Sequence, residues 1–412
     1  MHEASLDRSW REDAQPAALV GFAHMSSHFF QMLLPPVFPW LMRDFGISFT
    51  QAGFLATIFF VISSSGQALA GFAVDRLGAF RMLLVGVGLL VASGIALGLT
   101  QSYAGLLVTA ALAGAGNAMF HPADFTILNR RVSSRRLGHA FAMHGLSGNL
   151  GWAAGTSFMA GVTAISNWHV AGFGAASVAA AVWLFLLSKR AHLDDASAVQ
   201  PTHHETVAGQ GEGASVFAFL GSPVVWMCFL FFLLATGAGG VLQNFAPSIL
   251  THVYGVDLAF GTMALTVYLL GSATGTVIGG FVAGPERRSE FVVAIALTAA
   301  AVVSLSLSSG AIPVSLLMPA MFLLGCGSGT AGPSRDLLVR RAAVGGFGAG
   351  ALGRVYGFVY SGLDFGLAVA PLVVGRILDH GYFQAGLVAV AALQIGATLG
   401  ALRIGQGEHK PT

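Results

Sequence analysis

Charged residues are scarce in this sequence of 412 residues, where Asp, Glu, Lys and Arg together make up 9% of the chain. A soluble globular domain carries roughly 25% of them, so the composition excludes water as the main surroundings of the chain. The apolar residues, 55% of the total, form recurring runs. Because a helical run of about 20 residues crosses a hydrocarbon core of about 30 Å, the sequence predicts an all-α polytopic membrane protein.

Cysteine is almost absent as well. Cys228 and Cys326 both lie in apolar runs and match no metal or redox spacing, which excludes a cysteine-based metal centre and predicts two small core residues. No G-x-x-x-x-G-K-[ST] loop occurs, which disfavours nucleotide-driven pumping. Residues 1–15 are polar and do not resemble a cleavable signal, so the first span is expected to act as its own insertion signal.

Twelve apolar runs, bounded by polar residues, Gly or Pro, are predicted to be transmembrane helices. One long polar stretch, residues 189–221, follows the sixth run and predicts a cytoplasmic linker. It separates an N-terminal six-helix bundle (1–188) from a C-terminal one (222–412). The predicted spans are 17–42, 50–74, 80–100, 103–128, 138–165, 168–188, 222–250, 258–283, 290–309, 313–338, 351–377 and 382–403.

Basic residues are distributed unevenly between the loops that these spans define. With the N-terminus inside, seventeen of the 20 Lys and Arg residues fall in inner segments and two, Arg43 and Arg376, at the outer side. Positively charged loops stay on the cytoplasmic side. The sequence therefore predicts an integral protein of the plasma (inner) membrane with both termini cytoplasmic.

The two halves carry an internal repeat. An offset of 209 residues aligns FGIS at 45–48 with YGVD at 254–257, and an offset of 215 aligns Asn149 and Gly151 with Asp364 and Gly366. Parallel repeats of six helices place a substrate path between the halves near the bilayer midplane, and alternating access rocks one half against the other.

Residues 71–81, GFAVDRLGAFR, lie in the predicted inner loop between spans two and three and resemble the major facilitator signature G-x-x-x-D-R-x-G-x-x-R. The resemblance implies the twelve-helix major facilitator fold of two pseudo-symmetric bundles. It also implies an inner gate in which Asp75 holds the start of span eleven, and Arg76 or Arg81 reaches an acidic residue of span four. The implied gate residues are Gly71, Asp75, Arg76, Gly78 and Arg81.

Within that superfamily the chain is similar to the fosmidomycin-resistance branch of exporters. The similarity lies in AHMSSHFFQ of span one, GAGNAMFHPADF of span four and LGHAFAMHGLSGNLGWAAG of span five. It implies export as the direction of transport. Where that branch tends to place an acidic residue in span one, this chain has His28.

Polar side chains inside the spans form two helical stripes. His24, His28 and Gln31 in span one, and Asn117, His121 and Asp124 in span four, share the spacing i, i+4, i+7, which puts each set on one helix face. His24 and His121 lie at similar depths and are expected to meet across one cavity. The candidate substrate- and proton-binding residues are His24, His28, Gln31, Asn117, His121, Asp124, Asn149, Arg335, Asp336 and Asp364.

Several roles stay open for these residues. The histidines are suited to proton coupling, to neutral hydrogen bonding in substrate binding or packing, or to a metal site whose geometry nothing in the sequence determines. Asp124 is suited to the inner lock with Arg76 or Arg81, or to substrate contact. The family architecture also implies that Gln243 and Asn244 of span seven line the cavity, whereas His139 and His144 are read as gate or packing residues.

Arg335 and Asp364 are the charged candidates of the second half. Arg335 is suited to an anionic substrate or to an ion pair with Asp336 or Asp364. Asp364 is a candidate for proton coupling, with a structural partnership to Arg335 as the alternative.

The sequence predicts a non-enzymatic secondary transporter that exports a small organic solute by alternating access, driven by protons. Its predicted partners are the solute, protons and the lipid bilayer, without nucleic acid, resident metal or cofactor, and the chain is expected to be a monomer. Uptake of a small metabolic anion is the alternative within transport. A membrane-embedded metal-binding enzyme and a non-transporting sensor are the alternatives from other classes.

Overall fold

The computed structural model describes residues 10–133, 136–193, 221–282, 289–347 and 352–408, and the regular structure in these ranges is helical, without a strand. The first half contains α1 (Trp10–Gln31), α2 (Phe38–Phe45), α3 (Phe49–Leu77), α4 (Ala79–Leu99), α5 (Tyr103–Ala118), α6 (Phe120–Arg131), α7 (Leu137–Ile165), α8 (Trp168–Ser188) and α9 (Arg190–Leu193). The second half contains α10 (Pro223–Tyr254), α11 (Leu258–Val282), α12 (Ser289–Ser308), α13 (Leu317–Phe347), α14 (Leu352–Asp379) and α15 (Phe383–Glu408).

Ten helical segments within the described residues are long and apolar enough to cross a membrane. The two other long segments, α1 with α2, and α7, correspond to predicted spans one and five and are rich in polar side chains. The all-α membrane fold predicted from the sequence is confirmed, and twelve spans agree with the helices observed. Helix α13 runs to Phe347, nine residues beyond the predicted end of its span at 338.

Predicted span one, 17–42, is not one continuous helix. Helix α1 ends at Gln31, a 3-10 turn follows at Pro35–Val37, and α2 begins at Phe38. Pro35 and Pro36 have no backbone N–H to donate to the preceding turn, so an α-helix cannot continue through them. The sequence contained this signal, and the predicted span consists of two helices joined by a turn.

Predicted span four, 103–128, is interrupted at Met119, between α5 and α6. The backbone N–H of Met119 donates to the carbonyl of Gly116, which tightens the turn at this point. Pro122 follows in the first turn of α6 and has no N–H to donate to the carbonyl of Ala118, so α5 does not continue into α6 as one regular helix. Asn117 and His121 therefore lie on either side of the break rather than on one regular helix.

The chain divides into two compact units, residues 1–200 and 201–412, at a point within the predicted linker. Most of that linker, residues 194–220, lies outside the described residues. In the first unit α1 packs against α7, α4 against α8, and α3 against α5. In the second unit α10 packs against α14, α11 against α13, and α12 against α15.

Small residues allow the closest of these contacts. A Cβ added at Gly271, Gly275 or Gly279 of α11 would collide with backbone carbonyl oxygens of α13. Bulkier residues would hold the two helices apart. The G-x-x-x-G spacing of these three residues therefore marks a helix–helix contact.

Asp13 ties the start of α1 to the turn before α7. Its carboxylate accepts hydrogen bonds from the backbone N–H and the hydroxyl of Ser133, and from Arg136 Nη1 at 2.7 Å. Burial by itself raises the pKa of Asp13, but the hydrogen bonds from Ser133 and Arg136 outweigh it and leave the pKa below 3.8. Asp13 precedes the predicted span 17–42 in the chain, and 2% of its surface is exposed.

Candidate functional site

Four imidazoles and one carboxylate meet inside the first unit. His24 and His28 of α1 have ring centroids 4.5 Å apart, and His121 of α6 lies 5.3 Å from His24. His144 of α7 stacks on His24 at 3.5 Å, and Asp124 of α6 contacts both of those rings. These five residues are called the histidine cluster below. The expected approach of His24 to His121 is present.

Asp124 is the buried acid of this cluster, with 0% of its surface exposed. Its Oδ2 lies 3.0 Å from His144 Nε2, in hydrogen-bond geometry, and 3.3 Å from His24 Nδ1, out of that geometry. Its Oδ1 has no hydrogen-bond partner. No ion pair joins Asp124 to Arg76 or Arg81, although all three side chains are described, so the expected lock with either arginine is absent from this structure.

The stacking of His24 on His144 limits the charge of the cluster. Their ring planes are 22° apart, and two positive charges about 4 Å apart repel by about 4 kcal/mol at an effective dielectric constant of 20. A single added proton, balanced by the Asp124 carboxylate, avoids that repulsion. The geometry therefore favours at most one charged ring in the stacked pair.

A chain of hydrogen bonds leads away from the cluster through neutral side chains. Trp152 Nε1 donates to Gln31 Oε1 at 2.7 Å, Gln31 Nε2 donates to Asn117 Oδ1 at 3.1 Å, and Asn117 Nδ2 donates to Ser63 Oγ at 2.7 Å. An indole N–H can only donate. Trp152 therefore determines which end of each amide is the acceptor along this chain.

The same chain reaches the cluster at His121. Gln67 Nε2 approaches Ser63 Oγ at 3.4 Å, and Gln67 Oε1 lies 3.0 Å from His121 Nδ1. Because an amide oxygen only accepts, His121 carries its proton on Nδ1 and leaves the Nε2 lone pair available. Helices α1, α3, α5, α6 and α7 thus share one polar network.

Glycines of α7 let this helix approach α1 closely. The ring of His28 lies where a Cβ of Gly148 would be, and a Cβ at Gly151 would collide with the carbonyl oxygen of Met25. Residues 144, 148, 151 and 155 follow helical spacing, so His144 lies on the same face as these glycines. That stripe is the sequence signal by which His144, first read as a gate or packing residue, could have been assigned to the cluster.

Sequence reasoning also missed Ser63, Gln67 and Trp152. Ser63 and Gln67 lie four residues apart on α3 and their side chains contact each other, a spacing that was visible in the sequence. In the sequence, Trp152 cannot be distinguished from other aromatic residues of membrane helices. Only the structure shows that its indole donates a hydrogen bond to Gln31. Asn149, in contrast, was predicted as a site residue, yet its amide donates to the carbonyl of Gly145 in its own helix.

The described candidates of the second unit are Arg335, Asp364, Gln243 and Asn244. The guanidinium of Arg335 lies 4.6 Å from the ring centroid of Phe232, and Asp364 is half-buried. Asn244 is buried and donates to the carbonyl of Gly240 in its own helix, while Gln243 is buried beside it. The side chain of Asp336 lies outside the described residues.

The implied gate is only partly described. Arg76 and Arg81 are exposed, and Gly78, between α3 and α4, has a φ of 91°, which favours glycine. A Cβ at Gly71 would meet open space. The side chain of Asp75 lies outside the described residues, so the predicted gate contact stays a prediction.

Two sets of side chains place ligand atoms within 4.8 Å of one another: His24, His28 and His121, and His24, Asp124 and His144. Either set has the donor atoms that a transition-metal ion takes.

Comparison with known proteins adds a family match over most of the chain. The model of the family described as Major Facilitator Superfamily matches residues 20–371. The Fosmidomycin resistance protein of Escherichia coli (strain K12) is 24% identical over 265 residues, which are 63% of this chain and 63% of that protein. The chain thus aligns with less than two thirds of that relative.

Other relatives cover more of the chain. The MFS-type transporter YfnC of Bacillus subtilis (strain 168) is 23% identical over 391 residues, 92% of this chain and 90% of that protein. The crystal structure of a bacterial homolog of the human lysosomal transporter Spinster, in an inward-facing and occupied conformation, superposes with a TM-score of 0.71. The two chains are 14% identical over 97% of this chain and 98% of the other, which shows a shared fold.

Proposed function

The chain belongs to the major facilitator superfamily, a family of secondary transporters, and we propose that it carries a small organic solute across the membrane by alternating access. We propose further that protons drive it and that it exports the solute. The histidine cluster is the proposed proton-binding site. The hydrogen-bonded chain from His121 to Trp152 is the proposed contact with the solute.

The observation that carries this proposal is the polar network buried in the first unit. An ionisable side chain near the bilayer centre costs about 2.5–3.5 kcal/mol, so such residues usually serve a transport pathway or pair with one another. Here a buried carboxylate, four imidazoles and five neutral polar side chains lie in one connected network. Packing alone does not require that many polar groups in one bundle.

Protons suit this cluster better than a larger coupling ion held by carboxylates. Asp124 contacts imidazoles and, among the described residues, no Lys or Arg. Imidazole and carboxylate groups bind and release single protons directly. A proton on the Asp124–His144 pair, released when the site faces the other side, would make the two states differ in free energy.

Export of a small organic solute is supported by the relatives. One of them is named for resistance to fosmidomycin, and the segments of spans one, four and five that resemble that branch contain the cluster residues, with His28 as the position that departs from it. The proposal places the chain in the inner membrane as a monomer with both termini cytoplasmic, in accordance with the distribution of basic residues. It assigns no resident cofactor and no nucleic acid partner.

Uptake of a small anion is the second candidate, because Arg335 would be its cation. The packing of Arg335 against Phe232 disfavours a guanidinium that is fully available to an anion. Arg335→Lys separates the two candidates, since a bidentate anion contact is sensitive to this exchange.

The direct test uses the full chain in proteoliposomes with a pH-sensitive dye inside. A gradient of each member of a panel of antibiotics, neutral metabolites and small anions is imposed, and internal pH is recorded. We expect one solute class to move protons, and we expect His121→Ala and Asp124→Asn to abolish that movement. His252→Ala is the matched control, because His252 belongs to the second unit, where its ring stacks on Phe383.

Other outcomes have distinct meanings. Solute flux without proton movement would refute proton coupling but keep the transport function. Proton movement that survives in both cluster variants and is lost in Asp364→Asn would assign coupling to the second unit instead.

A further inference from the structure

Three imidazoles of the histidine cluster have the arrangement of a metal site. His24 and His28 lie one helical turn apart on α1, as in the H-x-x-x-H ligand pairs of zinc proteins, and His121 of α6 faces them. One nitrogen from each ring lies within 4.8 Å of the other two. Nitrogens bound tetrahedrally at about 2.05 Å from zinc are about 3.4 Å apart, so modest side-chain rotations would complete the site.

We propose that His24, His28 and His121 bind a divalent transition-metal ion. This inference does not depend on the proposed transport function, because it concerns equilibrium binding to the protein alone. The sequence left a metal site as one of three roles for the histidines because nothing determined their geometry. The structure supplies that geometry.

A contact behind the His121 ring favours one of its nitrogens as the ligand. Gln67 Oε1 lies 3.0 Å from Nδ1 of His121. A carboxylate or amide oxygen on one ring nitrogen orients the imidazole and directs the other nitrogen to the metal. The Nε2 atom of His121 is therefore its expected ligand atom.

Buried polar atoms without a hydrogen-bond partner are the second observation that supports a metal site. Nδ1 of His28, Nδ1 of His24 and Oδ1 of Asp124 are buried without a hydrogen-bond partner, although buried polar groups in native proteins are nearly always paired. His24 is 2% exposed and Asp124 is 0% exposed. An ion bound to the three imidazoles would satisfy His28 directly, and the Asp124 carboxylate would balance part of its charge.

The alternative set, His24, Asp124 and His144, fits an ion less well. The rings of His24 and His144 stack with planes 22° apart and centroids 3.5 Å apart. Imidazole lone pairs lie in the ring plane, so two stacked rings direct their nitrogens along nearly parallel lines and cannot both point at one ion. His24 and His28 are tilted by 58°, and His24 and His121 by 49°, which lets their lone pairs converge.

Three imidazoles and an open position suit zinc, cobalt, nickel or copper rather than magnesium or calcium, which prefer oxygen ligands. The imidazoles must be deprotonated to bind the ion. Protons and metal would therefore compete for the same rings.

The test measures binding of Zn²⁺ by calorimetry and of Co²⁺ by its visible absorption, on full-length protein in detergent with the purification tag removed. We expect one equivalent of metal per chain, and we expect His28→Asn and His121→Asn each to weaken binding more than 100-fold. Gln67→Ala removes the contact behind His121 and a long hydrogen bond to Ser63 but no metal ligand, and it should weaken binding about 10-fold to 100-fold. Thermal melting confirms that each variant is folded.

Matched controls separate this site from other histidines. His252→Asn, and the double change of His203 and His204 to Ala in the linker, should leave one equivalent bound with unchanged affinity. If a ligand variant does not fold, Gln67→Ala and the number of nitrogen ligands seen by X-ray absorption decide the question. The proposal is overturned if no metal binds, if both ligand variants keep their affinity, or if His144→Asn weakens binding as much as His28→Asn does.

Discussion

The two halves of this chain have the same helix packing around different centres. Gly151 of α7 lies against the carbonyl of Met25, and Gly366 of α14 lies against the carbonyl of Leu233. Gly114 likewise lies against Phe59, and its repeat partner Gly325 against Tyr268. The close contacts between helices thus survived in both copies of the repeat.

The glycine contacts make the side chains at the two centres directly comparable. With Met25 equivalent to Leu233, His24 corresponds to Phe232, while Asp124 corresponds to Arg335 and His144 to Val359. In the first half Asp124 contacts His24, and in the second half Arg335 lies over Phe232. The same pair of positions is therefore in contact in both halves, with the charge reversed and the imidazole replaced by a phenyl ring.

The position of His28 shows the same divergence. His28 corresponds to Thr236, whose hydroxyl donates to the carbonyl of Leu363 at 2.9 Å, and Leu363 is the repeat partner of Gly148, on which the His28 ring lies. A threonine hydroxyl that donates its proton to a backbone carbonyl stabilises the contact between two helices and has no second proton to donate to a ligand. In the second half Phe232 belongs to an apolar cluster of the core, whereas its counterpart His24 belongs to the histidine cluster.

The largest difference in stability between the two halves is expected when the equivalent rings of Phe232 and His24 are each replaced by Ala. Phe232 is 0% exposed, and Phe→Ala in soluble cores costs about 3–5 kcal/mol. Because lipid is as apolar as the core, only packing is lost, and we expect about 3 kcal/mol. His24→Ala should cost less, about 1–3 kcal/mol, with loss of proton movement. Unfolding in detergent by denaturant measures both. A greater loss of stability for His24→Ala would contradict the comparison.

The hydrogen bonds that Asp13 accepts from Ser133 and Arg136 have no counterpart at the equivalent position 221, which is Gly. Hydrogen bonds to a charged group contribute about 1.5–3 kcal/mol, so Asp13→Asn should lower the free energy of unfolding by about that amount. Since the folded pKa of Asp13 is lowered, its stabilisation is complete above the ordinary carboxyl pKa of 3.8 and disappears as the pH falls through the lowered value.

The dependence of stability on pH in acid therefore tests the hydrogen bonds to Asp13. Below about pH 5 the wild type should lose stability more steeply than Asp13→Asn as the pH falls. Thermal melting in buffers of decreasing pH measures this difference. Ser133→Ala, which removes one donor, should fall between the two. Parallel acid profiles for all three proteins would show that Asp13 is not anchored as described.

Equivalent glycines should respond alike in the two halves. Gly151→Val and Gly366→Val each place atoms against a backbone carbonyl, and overpacking costs about 1–3 kcal/mol. Gly161→Ala on α7 is the matched control, since a Cβ there meets nothing within 4 Å. We expect it to be neutral or stabilising. If melting shows that one of the two valine variants is as stable as the control, the shared packing does not hold in that half.

The smallest effect is expected at the end of the hydrogen-bonded chain. Trp152→Phe keeps the ring but removes the donor to Gln31, which should cost about 0.5–1.5 kcal/mol. The amides of Gln31 and Asn117 then lose the group that determines their orientation. Leu367→Met, at the repeat position of the second half, exchanges one apolar side chain for another of similar volume and removes no hydrogen bond. Solute binding or flux should fall in the first variant and stay unchanged in the second.

Much of the fold and part of the site could be predicted from the sequence. The stripes His24, His28, Gln31 and Asn117, His121, Asp124 were visible because a helix brings residues i, i+4 and i+7 to one face. The break at Met119 and the end of α1 depend on Pro122 and on Pro35–Pro36, whose signals were present but were not used. His144, Gln67 and Ser63 were missed because their importance depends on which neighbouring helix they face.

The sequence by itself determined that the chain is a bundle of membrane helices in two related halves. In lipid every backbone group must be satisfied within its own helix, so long apolar runs specify most of the spans, and the repeat specifies the halves. Only the tertiary structure decided which polar side chains meet. That choice depends on how closely α7 approaches α1 and on the rotation of α3 and α6, both set by packing between segments far apart in the chain.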